Sequence, residues 1–150
     1  MTDQLILKFP SKKIYLKEDF YVSPSNQKAY DFISQWPKWI KRIVNIFGPS
    51  GSGKTHLASI LKSKTTCLEL EGNQLNSNML NKIKTKEALI IENFDMNVSE
   101  ETLFLIWNTI LQDNKYLLIN SIKPINSYKF ELKDLKSRVN SSLSIGINLP

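Results

Sequence analysis

The chain has 150 residues, 41% of them hydrophobic and 23% charged, enough for one domain with a real core and too few for a second. No apolar run approaches a membrane span, and the opening Met1-Thr2-Asp3-Gln4 lacks the basic and apolar regions of a signal peptide, so a cytoplasmic protein without a membrane partner is expected. The net charge is +6, but the basic residues are scattered, eighteen of the twenty are lysines, and no helix carries a dense basic stripe; this reads as compositional bias, and direct sequence-specific DNA binding is not expected.

Near the N-terminus, Gln4-Leu5-Ile6-Leu7-Lys8-Phe9 is short, apolar and extended. It reads either as a first strand or as a peptide that docks in another protein's groove. A turn at Ser23-Pro24-Ser25 leads into an amphipathic helix over 26–36, with Ala29, Phe32, Ile33 and Trp36 at packing positions. Pro37 ends that helix, and Trp36-Pro37-Lys38-Trp39 forms a corner. From there strand and helix alternate. Strands are predicted at 42–47, 65–70, 87–92, 115–120 and 143–147, and helices at 54–63, 74–83, 100–113 and 131–140. The helix over 100–113 has Ser99 as its cap and Glu100 and Glu101 in its first turn. Cys67, the only cysteine, excludes an internal disulfide and reads as a small buried strand residue. The alternation implies an α/β fold with a parallel sheet covered on both faces.

The strongest chemical signal is Gly48-Pro49-Ser50-Gly51-Ser52-Gly53-Lys54-Thr55, which fits G-x-x-x-x-G-K-[ST] between a strand and a helix. Small residues let backbone N–H groups converge on phosphate oxygens, and the positive end of the following helix favours the anion. Lys54 would reach the β- and γ-phosphates, and the Thr55 hydroxyl would hold Mg²⁺. The acidic partner expected of such a loop is Glu92, at the end of the apolar run Ala88-Leu89-Ile90-Ile91. Asn93 follows where a water-activating group would stand, but an amide orients water without accepting its proton. Asn120 and Ser121 end the next strand and are candidate phosphate sensors; they also read as a polar turn. Arg42 and Arg138 are the only arginines in a lysine-rich chain, which suggests a use for the planar guanidinium fork.

Taken together, these segments resemble the AAA+ ATPases of the bacterial replication-initiator group, and look closest to regulators of the Hda type, which inactivate the initiator DnaA. The resemblance rests on Gln4-Leu5-Ile6-Leu7, on Glu18-Asp19-Phe20 through Pro24-Ser25-Asn26, and on Trp36-Pro37-Lys38-Trp39. It continues in Gly48 to His56, Leu89 to Asn93, Leu118 to Pro124, and Asp134-Leu135-Lys136-Ser137-Arg138. It implies a three-layer α/β/α P-loop NTPase base domain over 13–150, with five parallel strands in the order 5-1-4-3-2. It implies that Gln4, Leu5, Leu7 and Phe9, within a peptide over 1–12, bind the polymerase sliding clamp. By the same resemblance Asn26 lies in an adenine-contacting stretch, His56 joins the nucleotide-binding residues, and Arg138 is an arginine finger offered in trans to ATP on DnaA. The chain would bind ADP or ATP with Mg²⁺ and hydrolyse it weakly or not at all. Three departures from the pattern qualify this. Asn93 replaces a second acid, Ile122 stands where many relatives carry an acid, and the sequence stops at Leu149-Pro150, where a helical lid would begin. The competing readings are an autonomous AAA+ ATPase of helicase-loader type and a clamp adaptor with a vestigial nucleotide site. Homo-oligomerisation is left open.

Overall fold

The computed structural model describes residues 24–148; the segment holding Gln4, Leu5, Leu7 and Phe9 lies outside them. Helix α1 (Gln27–Ser34) precedes strand β1 (Ile43–Phe47). Helix α2 (Lys54–Lys64), β2 (Cys67–Glu71), a short α3 (Leu80–Ile83) and β3 (Ala88–Phe94) follow. The chain then forms α4 (Glu100–Gln112), β4 (Tyr116–Ser121), α5 (Lys133–Asn140) and β5 (Leu143–Gly146). The strands make one sheet in the order β2-β3-β4-β1-β5, with every pairing parallel. Read from the other edge, this is the expected 5-1-4-3-2.

The central strands are buried on both faces, which is why they read as nearly continuous apolar runs. Their period of two divides the core. Ala88 and Ile90 of β3 join Val44, Ile46, Leu118 and Ile145 against Leu57, Ala58, Ile60 and Leu61 of α2 and against Ala29 and Ile33 of α1. Leu89 and Ile91 join Leu117 and Ile119 on the other face, against Leu103, Ile106, Trp107 and Ile110 of α4 and Leu135 and Val139 of α5. At the end of α1, Phe32 packs against Trp39, and Tyr116 closes an edge-to-face cluster with Trp36 and Trp39, so the corner is held by ring contacts.

The expected helix over 74–83 is mostly absent. Single 3₁₀ turns span Gly72–Gln74 and Ser77–Met79, and α3 is only four residues long. The reason is local. Asn76 accepts a hydrogen bond from the Asn78 amide, and Glu71 and Gln74 close a capping box, so polar side chains satisfy backbone groups that a helix would have used. The helix α4 is as expected: the Ser99 hydroxyl accepts from the Thr102 amide and Glu100 and Glu101 lie in its first turn. Glu100 also reaches the segment just before α5, accepting from the amides of Glu131 and Leu132 at 2.9 Å. No helix among the described residues is long and apolar enough to cross a membrane.

Candidate functional site

Parallel strands bring their carboxyl ends to one edge, and the phosphate-loop residues stand there between β1 and α2. Gly51 and Gly53 have φ of +82° and +104°, values that glycine adopts without a steric penalty. Gly48 is required for a different reason: a Cβ there would collide with the backbone oxygen of Ile147. Pro49, Ser50 and Gly51 are exposed, whereas Ser52 is buried. Lys54 opens α2, and its ammonium donates to the carbonyl oxygens of Gly48 at 2.6 Å and Pro49 at 2.9 Å, folding the loop around its own lysine. Burial lowers the Lys54 pKa, and the nearby Glu92 carboxylate opposes that shift. Thr55 is exposed in the first turn of α2, and His56 is buried behind it.

Glu92 enters this site from β3 and Asn120 from β4. The Asn120 amide donates at 3.1 Å both to Glu92 Oε1 and to the Lys54 carbonyl, linking the strand ends to α2. Glu92 Oε2 and Asn120 Oδ1 are buried without a hydrogen-bond partner among the described residues. Two orphaned acceptors beside a phosphate-loop lysine suit a hydrated cation, because its water shell supplies the missing donors. The residues therefore fit a magnesium nucleotide, with Thr55 and Glu92 as the groups that would hold the ion.

The other expected residues divide. Asn93 has φ of +53° and donates at 2.8 Å to Glu71 at the end of β2. Gly72 makes room for this turn, since a Cβ there would stand 2.7 Å from the Asn93 oxygen. Ser121 faces the opposite side of the sheet from Asn120; its hydroxyl donates to the Lys123 carbonyl and accepts from Asn45. Ile122 is 68% exposed. Asn26 is buried at the start of α1, and the carbonyl of its neighbour Ser25 accepts from the Asn148 amide just past β5. Arg138 belongs to α5, in the other helical layer, with its guanidinium 5.4 Å from the centre of the Phe104 ring. The only ion pair among the described residues is Lys62–Glu69, so Arg138 has no carboxylate partner there. Arg42 uses its fork internally, donating to the carbonyls of Asn114 and Lys115 and lying over the Tyr116 ring.

Asn45 belongs to none of the sequence motifs. Asn45 is fully buried in β1; its amide donates to the Ile119 carbonyl and Ser121 hydroxyl, and its oxygen accepts from the Ile125 amide. A single polar residue inside Ile43-Val44-Asn45-Ile46 was the available signal, because burial without bonds would be costly. Asn45 thereby pins the turn leading from β4 towards α5.

Burial raises the Glu92 pKa, with added repulsion from Glu69 and Glu71 and partial relief from Asn120. The folded protein thus holds that proton more tightly than the unfolded chain. The resulting stability is fully present below the ordinary glutamate pKa of about 4.3 and is lost as pH rises through the native value. Glu92→Gln, which never ionises, is expected to equal the parent protein in acid and exceed its melting temperature at neutral pH, while weakening magnesium-dependent nucleotide binding. Thermal scans across pH check this; an advantage independent of pH would contradict it.

Comparison with known proteins bears on the fold. No family model matches the chain. It is 31% identical, over 93% of its length, to the chromosomal replication initiator protein DnaA of Borreliella afzelii. It spans about a third (34%) of that relative. Among solved structures, a replication initiator DnaA bound to AMPPCP and single-stranded DNA superposes over 93% of this chain and 51% of its own, with TM-score 0.76 at 20% identity. A DnaI crystal structure covers 99% of this chain and 92% of its own, with TM-score 0.65 at 14% identity. At such identities the structural matches speak to fold alone, and that fold is the AAA+ base domain of DnaA.

Proposed function

We propose, for a chain that is a DnaA-related AAA+ protein, a regulatory role in replication initiation: held on the polymerase sliding clamp by Gln4, Leu5, Leu7 and Phe9, it promotes hydrolysis of ATP bound to DnaA. The observation that carries this reading is the division of the chemistry between two layers. Lys54, Glu92 and Asn120 are gathered at the phosphate loop, whereas Arg138 lies on Phe104 without a carboxylate partner among the described residues.

The chain's own nucleotide, ADP or ATP, is held rather than consumed. Asn93 is occupied by Glu71 and has no basic atom with which to take a proton from water. The phosphate-loop amides and Lys54 bind the phosphates, and Asn120 ties α2 to β3. A bound magnesium ion neutralises phosphate charge. Arg138 extends from α5 to the ATP of a neighbouring DnaA, where its fork stabilises negative charge that develops on the transferred phosphoryl group.

The test is reconstitution. ATP hydrolysis by DnaA should rise when this protein and clamp-loaded DNA are both present, and fall back when either is omitted. Turnover by this chain alone would instead favour an autonomous ATPase of helicase-loader type. Clamp binding with no affinity for either nucleotide would favour an adaptor. Within the proposed reading, Lys54→Ala is expected to lower ADP affinity about 100-fold, roughly 2.7 kcal/mol, through loss of a charge-assisted phosphate contact. Isothermal titration measures it, and unchanged affinity would argue against the site.

A further inference from the structure

Helix α5, which carries Arg138, is eight residues long and starts without a side-chain cap, because its N-cap residue is Leu132. A helix this short takes its placement from what holds it. Its approach is gripped from α4 instead. The Glu131 amide donates to both oxygens of the Glu100 carboxylate, at 2.9 and 3.0 Å, and the Leu132 amide donates to Oε1 at 2.9 Å. Hydrogen bonds to a carboxylate are of the stronger, charge-assisted kind. An open notch lined by Phe104, Leu132, Lys133 and Asp134 lies between α4 and the first turn of α5, while the buried residues of α5, Leu135 and Val139, come further along it. The start of α5 is therefore tied to α4 by Glu100 more than by apolar packing. The dipole of α4 favours an acid in its first turn, but Glu101 would serve that purpose equally; it does not account for a side chain that reaches backbone 31 residues away.

Phe104 follows Glu100 by one turn on the same face of α4, and the Arg138 guanidinium stands 5.4 Å from its ring centre. One face of α4 thus holds α5 at two points, by backbone at its start and by the guanidinium near its end. Asp134 precedes Arg138 by four residues, the spacing of a helical ion pair, yet the only ion pair among the described residues is Lys62–Glu69. Both Glu100 oxygens are already engaged. A ring face leaves the five N–H donors of the guanidinium unspent and is given up at modest cost. Arg138 can therefore be held in place and still be delivered to a phosphate.

We propose that Glu100 is a positioning residue for Arg138: by fixing the start of α5 it sets where the guanidinium stands over Phe104, and so how it meets the phosphates of ATP on DnaA. This rests on the reading of Arg138 as a finger offered in trans, and the test has an arm that does not need DnaA. In the first arm, single-turnover hydrolysis by DnaA with clamp-loaded DNA is followed at increasing amounts of each variant. Glu100→Ala is expected to lose roughly 10-fold or more from the maximal stimulated rate, with little change in the amount that gives half of it. Glu100→Gln, which keeps a carbonyl oxygen for the amides, should recover part of the loss. Glu101→Ala, which removes the same charge from the same turn, should stimulate as the parent does. In the second arm, proton NMR shifts of the Arg138 side chain report the Phe104 ring current, and Glu100→Ala should move them towards the values in Phe104→Leu. The gripped amides lie at the surface, where water replaces the carboxylate, so the fold should survive; circular dichroism melting checks it. Full stimulation by Glu100→Ala, an equal loss in Glu101→Ala, or Arg138 shifts that stay at the parent values would each overturn the proposal. Moved shifts in a protein that never stimulates DnaA would support the positioning and count against the regulatory reading alone.

Discussion

Replacing Arg138 by alanine is expected to remove the stimulation of DnaA-bound ATP hydrolysis by a factor on the order of 10³ or more, the range in which arginine fingers act in other phosphate-loop systems. The fold should survive. The Arg138 side chain is half-buried, contributes a ring contact to Phe104 and makes no ion pair among the described residues, while Leu135 and Val139 of the same helix carry its packing. Nucleotide binding by the chain itself should also be unchanged, because Lys54, Glu92 and Asn120 belong to the other face. Arg138→Lys should not restore activity, since a point charge cannot present two parallel donors. Single-turnover hydrolysis by DnaA with clamp-loaded DNA measures the effect. Full stimulation by the alanine variant would remove the mechanism and leave the nucleotide site standing.

The second large effect concerns stability. Asn45→Ala removes three hydrogen bonds in the core and leaves the Ile125 amide buried without an acceptor. At about 1 kcal/mol for each bond, with an added cost for the stranded donor, the loss should be about 4 kcal/mol. Asn45→Leu, which refills the volume without the bonds, should recover only part of it. Urea unfolding with an unchanged slope would report this as a change in midpoint. A loss below about 1 kcal/mol would mean that the turn after β4 finds other partners. Because that turn leads towards α5, a folded Asn45 variant should also present Arg138 less well.

The phosphate loop was legible from residue types because its requirements are local. Glycine is needed at positive φ, a lysine must open the helix, and a buried strand must precede it, all within a dozen residues. Glu92 was legible for the same reason, as an acid ending an apolar run. The length of α3 was not: Asn76 and the Glu71–Gln74 pair compete with the helix through side-chain bonds, a balance that apolar spacing does not report. Asn93 was readable as a poor base, but its bond to Glu71 spans 22 residues and depends on the register of β2 beside β3.

Strand and helix spacing, the phosphate loop and its acid thus follow from the order of residues along the chain, through short-range sterics and periodic burial. Which polar strand ends turn towards Lys54 and Glu92 does not. Asn120 and Ser121 are adjacent, yet pleating sends one towards Glu92 and the other towards Asn45. Strand order, unlike helix propensity, is set by contacts between residues far apart in the chain, and it is strand order and pleat together that decide which side chains meet at the sheet edge.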